Sequence, residues 1–159
     1  ANVLGNLVNR TLGMINKYFD GCVENKKVNT EIDDKFINTV LGSKEKVEKN
    51  MEHLRVADAL EEIFNVYRLC NKYIDDNEPW VLIKDETKVD RLKTVLYNLC
   101  EAIRYESVLL QAFLPDTAEE IFKQLNTIKK DYKTLDKFGY YEANKIGTAK
   151  IIFARIVND

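Results

Sequence analysis

The sequence predicts an all-α fold, an antiparallel bundle of about five helices, and three observations carry that expectation. Only six of the 159 residues are Gly and two are Pro, too few for a β-rich chain that turns roughly every ten residues. Leu, Ile, Glu, Lys, Asn and Asp dominate, a composition suited to long helices. Apolar positions recur at three- and four-residue spacing over long stretches separated by short polar breaks. With 45% hydrophobic and 31% charged residues, a chain of this length buries roughly 70% of its unfolded surface, so one domain is expected over residues 1–159.

The elements follow in order. Leu4, Leu7, Val8, Leu12, Ile15 and Phe19 share one face of a helix over residues 3–19, and Asp20-Gly21 ends it. After a polar connection from Cys22 to Thr30, a second helix is expected from Ile32 to Asn50, with Phe36, Val40, Val47 and Met51 as contacts and an interruption at Gly42-Ser43. The third, Val56 to Asp75, carries Leu60, Ile63, Phe64, Tyr67, Cys70 and Ile74, and stops where acids, Asn and Pro79 break the pattern. A fourth runs from Lys88 to Leu114. Pro115 ends it, and Asp116 or Thr117 is expected to cap a fifth to Leu125. The pattern over 126–159 is weaker, with a loop at residues 137–141 and a short apolar run, Ile151-Ile152-Phe153, that reads as a helix end or an edge strand. Short links make neighbouring helices antiparallel.

Composition removes several functions. No apolar run approaches the roughly 18 residues of a membrane span, and residues 1–10 lack the basic-then-apolar order of a signal peptide, so a cytoplasmic protein is the expectation. Cys22, Cys70 and Cys100 are far apart and His53 is the sole histidine, which supports neither a disulfide framework nor a metal site; buried free thiols are the simplest reading. Phosphate-loop, GxGxxG, GxSxG and HExxH motifs are absent, and the carboxylates read as residents of solvated helix faces. Glu61-Glu62 and Glu119-Glu120 diverge by about 100° along their helices, so neither pair forms an acid/base dyad. Net charge is −2, but residues 1–29 carry +2 and 127–159 carry +3 around an acidic middle. If the ends meet in space they make a modest basic face suited to a localised anionic contact.

Two features stand out. Opposite the apolar face of the first helix, Asn6, Arg10, Gly13 and Lys17 form one line, with an amide, two cations and a residue without a side chain. Gly13 there costs about 1 kcal/mol relative to Ala, with a return only if something approaches closely. The single Trp, Trp80, follows Pro79 in an interhelical loop, where an unshielded indole can stack on an unpaired base for roughly 1–3 kcal/mol or lid the bundle instead.

The runs Leu4-Gly5-Asn6-Leu7-Val8-Asn9-Arg10, Ile15 to Gly21, Pro79 to Asp85 and Leu114 to Ala118 resemble, in order and spacing, the anticodon-binding domain of methionyl-tRNA synthetase, a class Ia aminoacyl-tRNA synthetase. The resemblance covers about 1–125 well and the tail poorly. It implies that Asn6, Arg10 and Trp80 contact the CAU anticodon of methionine tRNA and that Pro79 shapes the Trp loop; Lys17 and Gly13, on the same helix face as Asn6 and Arg10, are supporting candidates of lesser weight. The family's catalytic signatures, HIGH and KMSKS, are absent, as is any βαβ pattern. ATP and methionine would therefore belong to a Rossmann-like catalytic domain outside this chain, and the fragment alone is expected to bind no cofactor, catalyse nothing and behave as a monomer.

Departures from the family pattern are Val3, where an acid is commoner, and Ile151 to Ile156, where a Pro-Leu-Phe-Pro-Arg-like segment is usual. Two other readings remain open on sequence: a helical protein-interaction or scaffold domain with Trp80 as a lid, and the anticodon domain of another class I synthetase, such as that for cysteine or isoleucine.

Overall fold

The computed structural model describes residues 2–147, in the order α1 (Asn2–Phe19), α2 (Glu31–Glu52), α3 (Val56–Asn77), a one-turn α4 (Pro79–Leu82), α5 (Val89–Leu110) and α6 (Pro115–Leu125), with 3₁₀ turns at Glu86–Lys88 and Tyr132–Leu135. Leu4, Leu7, Val8, Leu12 and Ile15 are all buried, as the α1 periodicity requires. Asp20 and Gly21 take positive φ values of 51° and 81°, and the Gly21 N–H closes the helix on the Ile15 carbonyl. At the start of α2 the Thr30 N–H donates to Asp33 Oδ2 at 2.8 Å, satisfying a donor the helix itself leaves free. Helix α2 runs through Gly42-Ser43, as expected despite that interruption of the pattern, and the Ser43 hydroxyl bonds back to the Val40 carbonyl at 2.7 Å.

Contacts fix the directions. Asp33 meets Tyr73 and Asn98 bonds Tyr73 near one end, while Ser43 meets Glu106 and Tyr67 meets Ser107 further along. Thus α3 runs antiparallel to both α2 and α5, and α2 runs parallel to α5. The C-terminus of α3, the N-terminus of α2 and the N-terminus of α5 share one end of the bundle, and Lys93 over the Phe19 ring brings the end of α1 there too.

One helix lies at the centre of the bundle. Every residue of α5 from Thr94 to Leu110 is buried, so α5 is a central rod wrapped by the others and by the C-terminal segment. The expectation of solvated carboxylates therefore fails at Asp33, Glu101 and Glu106, all buried. Glu101 pairs with Arg104 and accepts N–H groups from Gly139, Tyr140 and Tyr141, while Arg104 donates to the Lys129 and Thr134 carbonyls. That clasp holds residues 127–141 against α5.

Two more carboxyl centres join α2, α3 and α5. Asp33 accepts from Arg91, Tyr73 and the Thr30 N–H; burial pushes its carboxyl up, but these bonds outweigh burial and hold it below the ordinary range. Glu106 has no cation beside it. Ser43 Oγ lies 2.9 Å from Glu106 Oε2, and Glu106 Oε1 has no partner among the described residues. The one Ser43 hydroxyl proton is shared between the Val40 carbonyl and this carboxyl oxygen, so Glu106 is offered less than one full hydrogen bond. Burial pushes Glu106 well above the ordinary carboxylate range, and the Glu62 charge adds to that.

Smaller differences have local causes. Helix α5 ends at Leu110, and Phe113 and Leu114 turn back on the Leu110 carbonyl ahead of Pro115. Pro115 is the first residue of α6, which places Asp116 and Thr117 inside its first turn, where neither caps it. Cys70 and Cys100 are buried free thiols as expected, whereas Cys22 is exposed. The described tail is neither helix nor strand beyond its 3₁₀ turn, and the run Ile151-Ile152-Phe153 lies outside the described residues.

Candidate nucleic-acid interface

Asn6, Gly13 and Lys17 are exposed and Arg10 is half-buried, so the polar face of α1 fronts solvent as its periodicity requires. Arg10 is held in place by α3: Nη1 donates to Asn71 Oδ1 at 3.2 Å and Nη2 to Asp75 Oδ1 at 2.8 Å. Asn71 in turn donates to the Val3 carbonyl at 3.4 Å. Val3, Asn6, Asn9, Arg10 and Asn71 line a depression of about 490 Å³ between the two helices. Both partners of the Arg10–Asp75 pair are substantially exposed, and such pairs contribute about 0–1 kcal/mol, so an incoming acceptor can take over the guanidinium at little cost.

The indole lies just past the end of α3. Helix α3 ends at Asn77, Glu78 takes the left-handed φ of 48°, and Pro79 is buried as the first residue of α4. Pro79 disfavours a helical conformation in the residue before it, which breaks α3 from α4 at Glu78. Trp80 is thereby turned outward on a helical turn rather than in the expected loop, and at 42% exposure it is no buried lid. It lies five residues beyond Asp75, so at most about 18 Å of chain separates it from the group that holds Arg10. Lys17 lies about 10 Å further along α1 than Arg10, with its ammonium 5.9 Å from the Tyr18 ring centroid. A methyl at Gly13 would meet nothing within 4 Å.

The described part of the tail meets the end of α1. The Ile146 N–H donates to the Gly21 carbonyl at 2.9 Å, Asn16 Nδ2 donates to the Gly147 carbonyl at 3.2 Å, and Lys145 lies 3.8 Å from Asp20. A Cβ at Gly21 would sit 2.7 Å from the Ile146 carbonyl oxygen, so only glycine admits the tail here. Sequence reasoning missed Asn71 and Asp75 as partners of Arg10. Their i,i+4 spacing on one face of α3 was the available signal, but their meeting with α1 is a tertiary fact.

The family described as the anticodon binding domain of methionyl tRNA ligase matches residues 23–159, which leaves α1 outside that match but takes in the tail that the sequence resemblance covered poorly. A methionine–tRNA ligase of Clostridium tetani is 46% identical over 98% of this chain, and one of Clostridium acetobutylicum is 43% identical over 98%; both comparisons include α1. The chain spans 24% of the length of each. The crystal structure of apo Mycobacterium tuberculosis methionyl-tRNA synthetase superposes with a TM-score of 0.87 at 29% identity, over 96% of this chain and 32% of that one. No helix among the described residues is long and apolar enough to cross a membrane. The exposed α1 face, the outward Trp80 and these matches across nearly the whole chain lead to one conclusion: the chain belongs to the anticodon-binding domain family of methionyl-tRNA ligases.

Proposed function

We propose that this domain selects methionine tRNA by reading its CAU anticodon loop on the face shared by α1 and the α3–α4 corner. The carrying observation is the outward Trp80 five residues beyond Asp75, whose exposed and exchangeable pair helps α3 hold Arg10. Trp80 stacks a splayed base, while Asn6 and Arg10 bond base edges that a wrong base would leave unpaired. Pro79 fixes the platform. Gly13 leaves room for a close backbone, and Lys17 meets a phosphate, which positions without specifying. The acids near the Trp turn, Asp75, Asp76, Glu78, Asp85 and Glu86, disfavour phosphate there and favour base contact.

In this reading the domain supplies selection and no chemistry. ATP and methionine are bound by the catalytic portion of a longer ligase, and the domain works in the cytoplasm as a single copy. Titration of Trp80 fluorescence with a CAU hairpin and a GAU control, at low and moderate salt, tests the proposal. CAU-preferring quenching that survives salt is expected, and Asn6→Ala should weaken CAU binding by about 1–3 kcal/mol while leaving the fold intact. Equal, salt-erased responses to both hairpins would reduce the role to phosphate binding. No response to either would overturn the reading in favour of a scaffold role.

A further inference from the structure

The loop that carries Trp80 leaves the bundle at Asn77, the last residue of α3, and returns to it at Arg91 in the first turn of α5. These two side chains bond each other, Arg91 Nη2 donating to Asn77 Oδ1 at 2.8 Å, so the loop is tied shut at its base. Asn77 is fixed from its other side as well, since its Nδ2 donates to the Tyr73 carbonyl at 2.8 Å. Arg91 is fixed more firmly still. Its two terminal nitrogens grip both oxygens of the buried Asp33, and Nη1 also donates to the Val28 carbonyl at 2.9 Å. Only 15% of the Arg91 side chain is exposed.

We propose that Arg91 is a positioning residue for the Trp80 platform, acting through Asn77, a role that rests on the anticodon-reading function proposed above. The planar fork serves three acceptors on three elements at once: Asp33 on α2, the Val28 carbonyl in the α1–α2 connection and Asn77 on α3. A lysine ammonium can keep the charge opposite Asp33 but cannot hold that fixed fork. Trp80 is itself exposed, and besides Pro79 and the half-buried Leu82 and Ile83 that pack on the core, its direction depends on how firmly residues 78–90 are anchored at their two ends. Stacking requires an aromatic plane held before the base arrives, because ordering it afterwards subtracts from affinity.

The test uses the intact chain with two variants, Asn77→Ala and Arg91→Lys. Far-ultraviolet circular dichroism and the melting transition follow the fold, time-resolved fluorescence anisotropy and iodide quenching of Trp80 follow the platform, and the CAU hairpin titration follows function. In variants that melt cooperatively, faster local depolarisation of Trp80 is expected, with hairpin affinity reduced by about three- to tenfold, the worth of one hydrogen bond. Asn77→Ala keeps the Arg91–Asp33 pair, so it remains informative even if Arg91→Lys fails to fold. Unchanged Trp80 anisotropy and quenching in a folded Asn77→Ala protein would overturn the proposal. A wild-type chain that ignores the hairpin would defeat the anticodon reading alone, since the anisotropy result decides the positioning role without RNA.

Discussion

Helices α2, α3 and α5 are joined at two levels, each centred on a buried carboxyl group, and the two joints solve the cost of burial differently. Near the Trp80 end, Asp33 stays ionised because Arg91, Tyr73 and the Thr30 N–H surround it with donors. Further along, Glu106 meets one serine hydroxyl and no cation, and burial favours its neutral form. An ionised joint needs several donors fixed in direction, so it also fixes the elements that carry them. A neutral acid asks for much less, and it sits where the helices need only pack. The level with strict geometry is the one next to the candidate RNA-binding face.

The sharpest way to break this contrast is Asp33→Ala. Removing the shared acceptor leaves the largely buried Arg91 charge without its carboxylate and the Tyr73 hydroxyl proton without its acceptor, and a loss of about 3–5 kcal/mol is expected in urea unfolding. A loss below about 1 kcal/mol would show that the ionised joint holds little.

The pH dependences of the two joints have opposite signs. Asp33 is held below its ordinary value, so its contribution is present above about pH 4 and is lost as pH falls through the lowered value. Glu106 is raised above its ordinary 4.5, so its contribution is complete below that value and declines as pH rises towards the raised one. Glu106→Gln cannot ionise. Its stability should therefore gain on the wild type by up to about 1.4 kcal/mol per pH unit across that window, read from urea midpoints at several pH values. Parallel curves would remove the neutral assignment.

The smallest expected effect comes from Ser43→Ala, which takes away the one side chain that hydrogen-bonds Glu106 among the described residues. It should cost about 1–3 kcal/mol and shift the infrared carbonyl band of the protonated acid. An unmoved band would mean that the acid bonds elsewhere.

The polar faces of helices were more legible than the interior. The line Asn6, Arg10, Gly13 and Lys17 is visible because helical spacing alone sorts residues into faces, and it lies on the surface as expected. Trp80 was legible from Pro79 and the acidic break before it, although the break holds a helical turn. The buried carboxyl groups were not legible. Glu101, Arg104 and Glu106 carry the same letters as any solvated helix face, and only the wrapping of α5 on all sides makes them interior. The tail was opaque for a related reason: its bonds run to Glu101 and Arg104 on α5 and to Asn16 and Gly21 at the end of α1, partners far away in sequence.

Local pattern by itself determined the helical class, the approximate helix limits, the apolar stripe of α1 and the turn at Asp20-Gly21, because each depends on residues within a few positions of one another. Tertiary structure alone decided that α5 is the central rod, that Asn71 and Asp75 hold Arg10, and that Arg91 ties the Trp80 loop shut. Those outcomes depend on which helices lie side by side. A charged side chain costs nothing in water and several kcal/mol when buried unpaired, so its role is set only when packing chooses its surroundings.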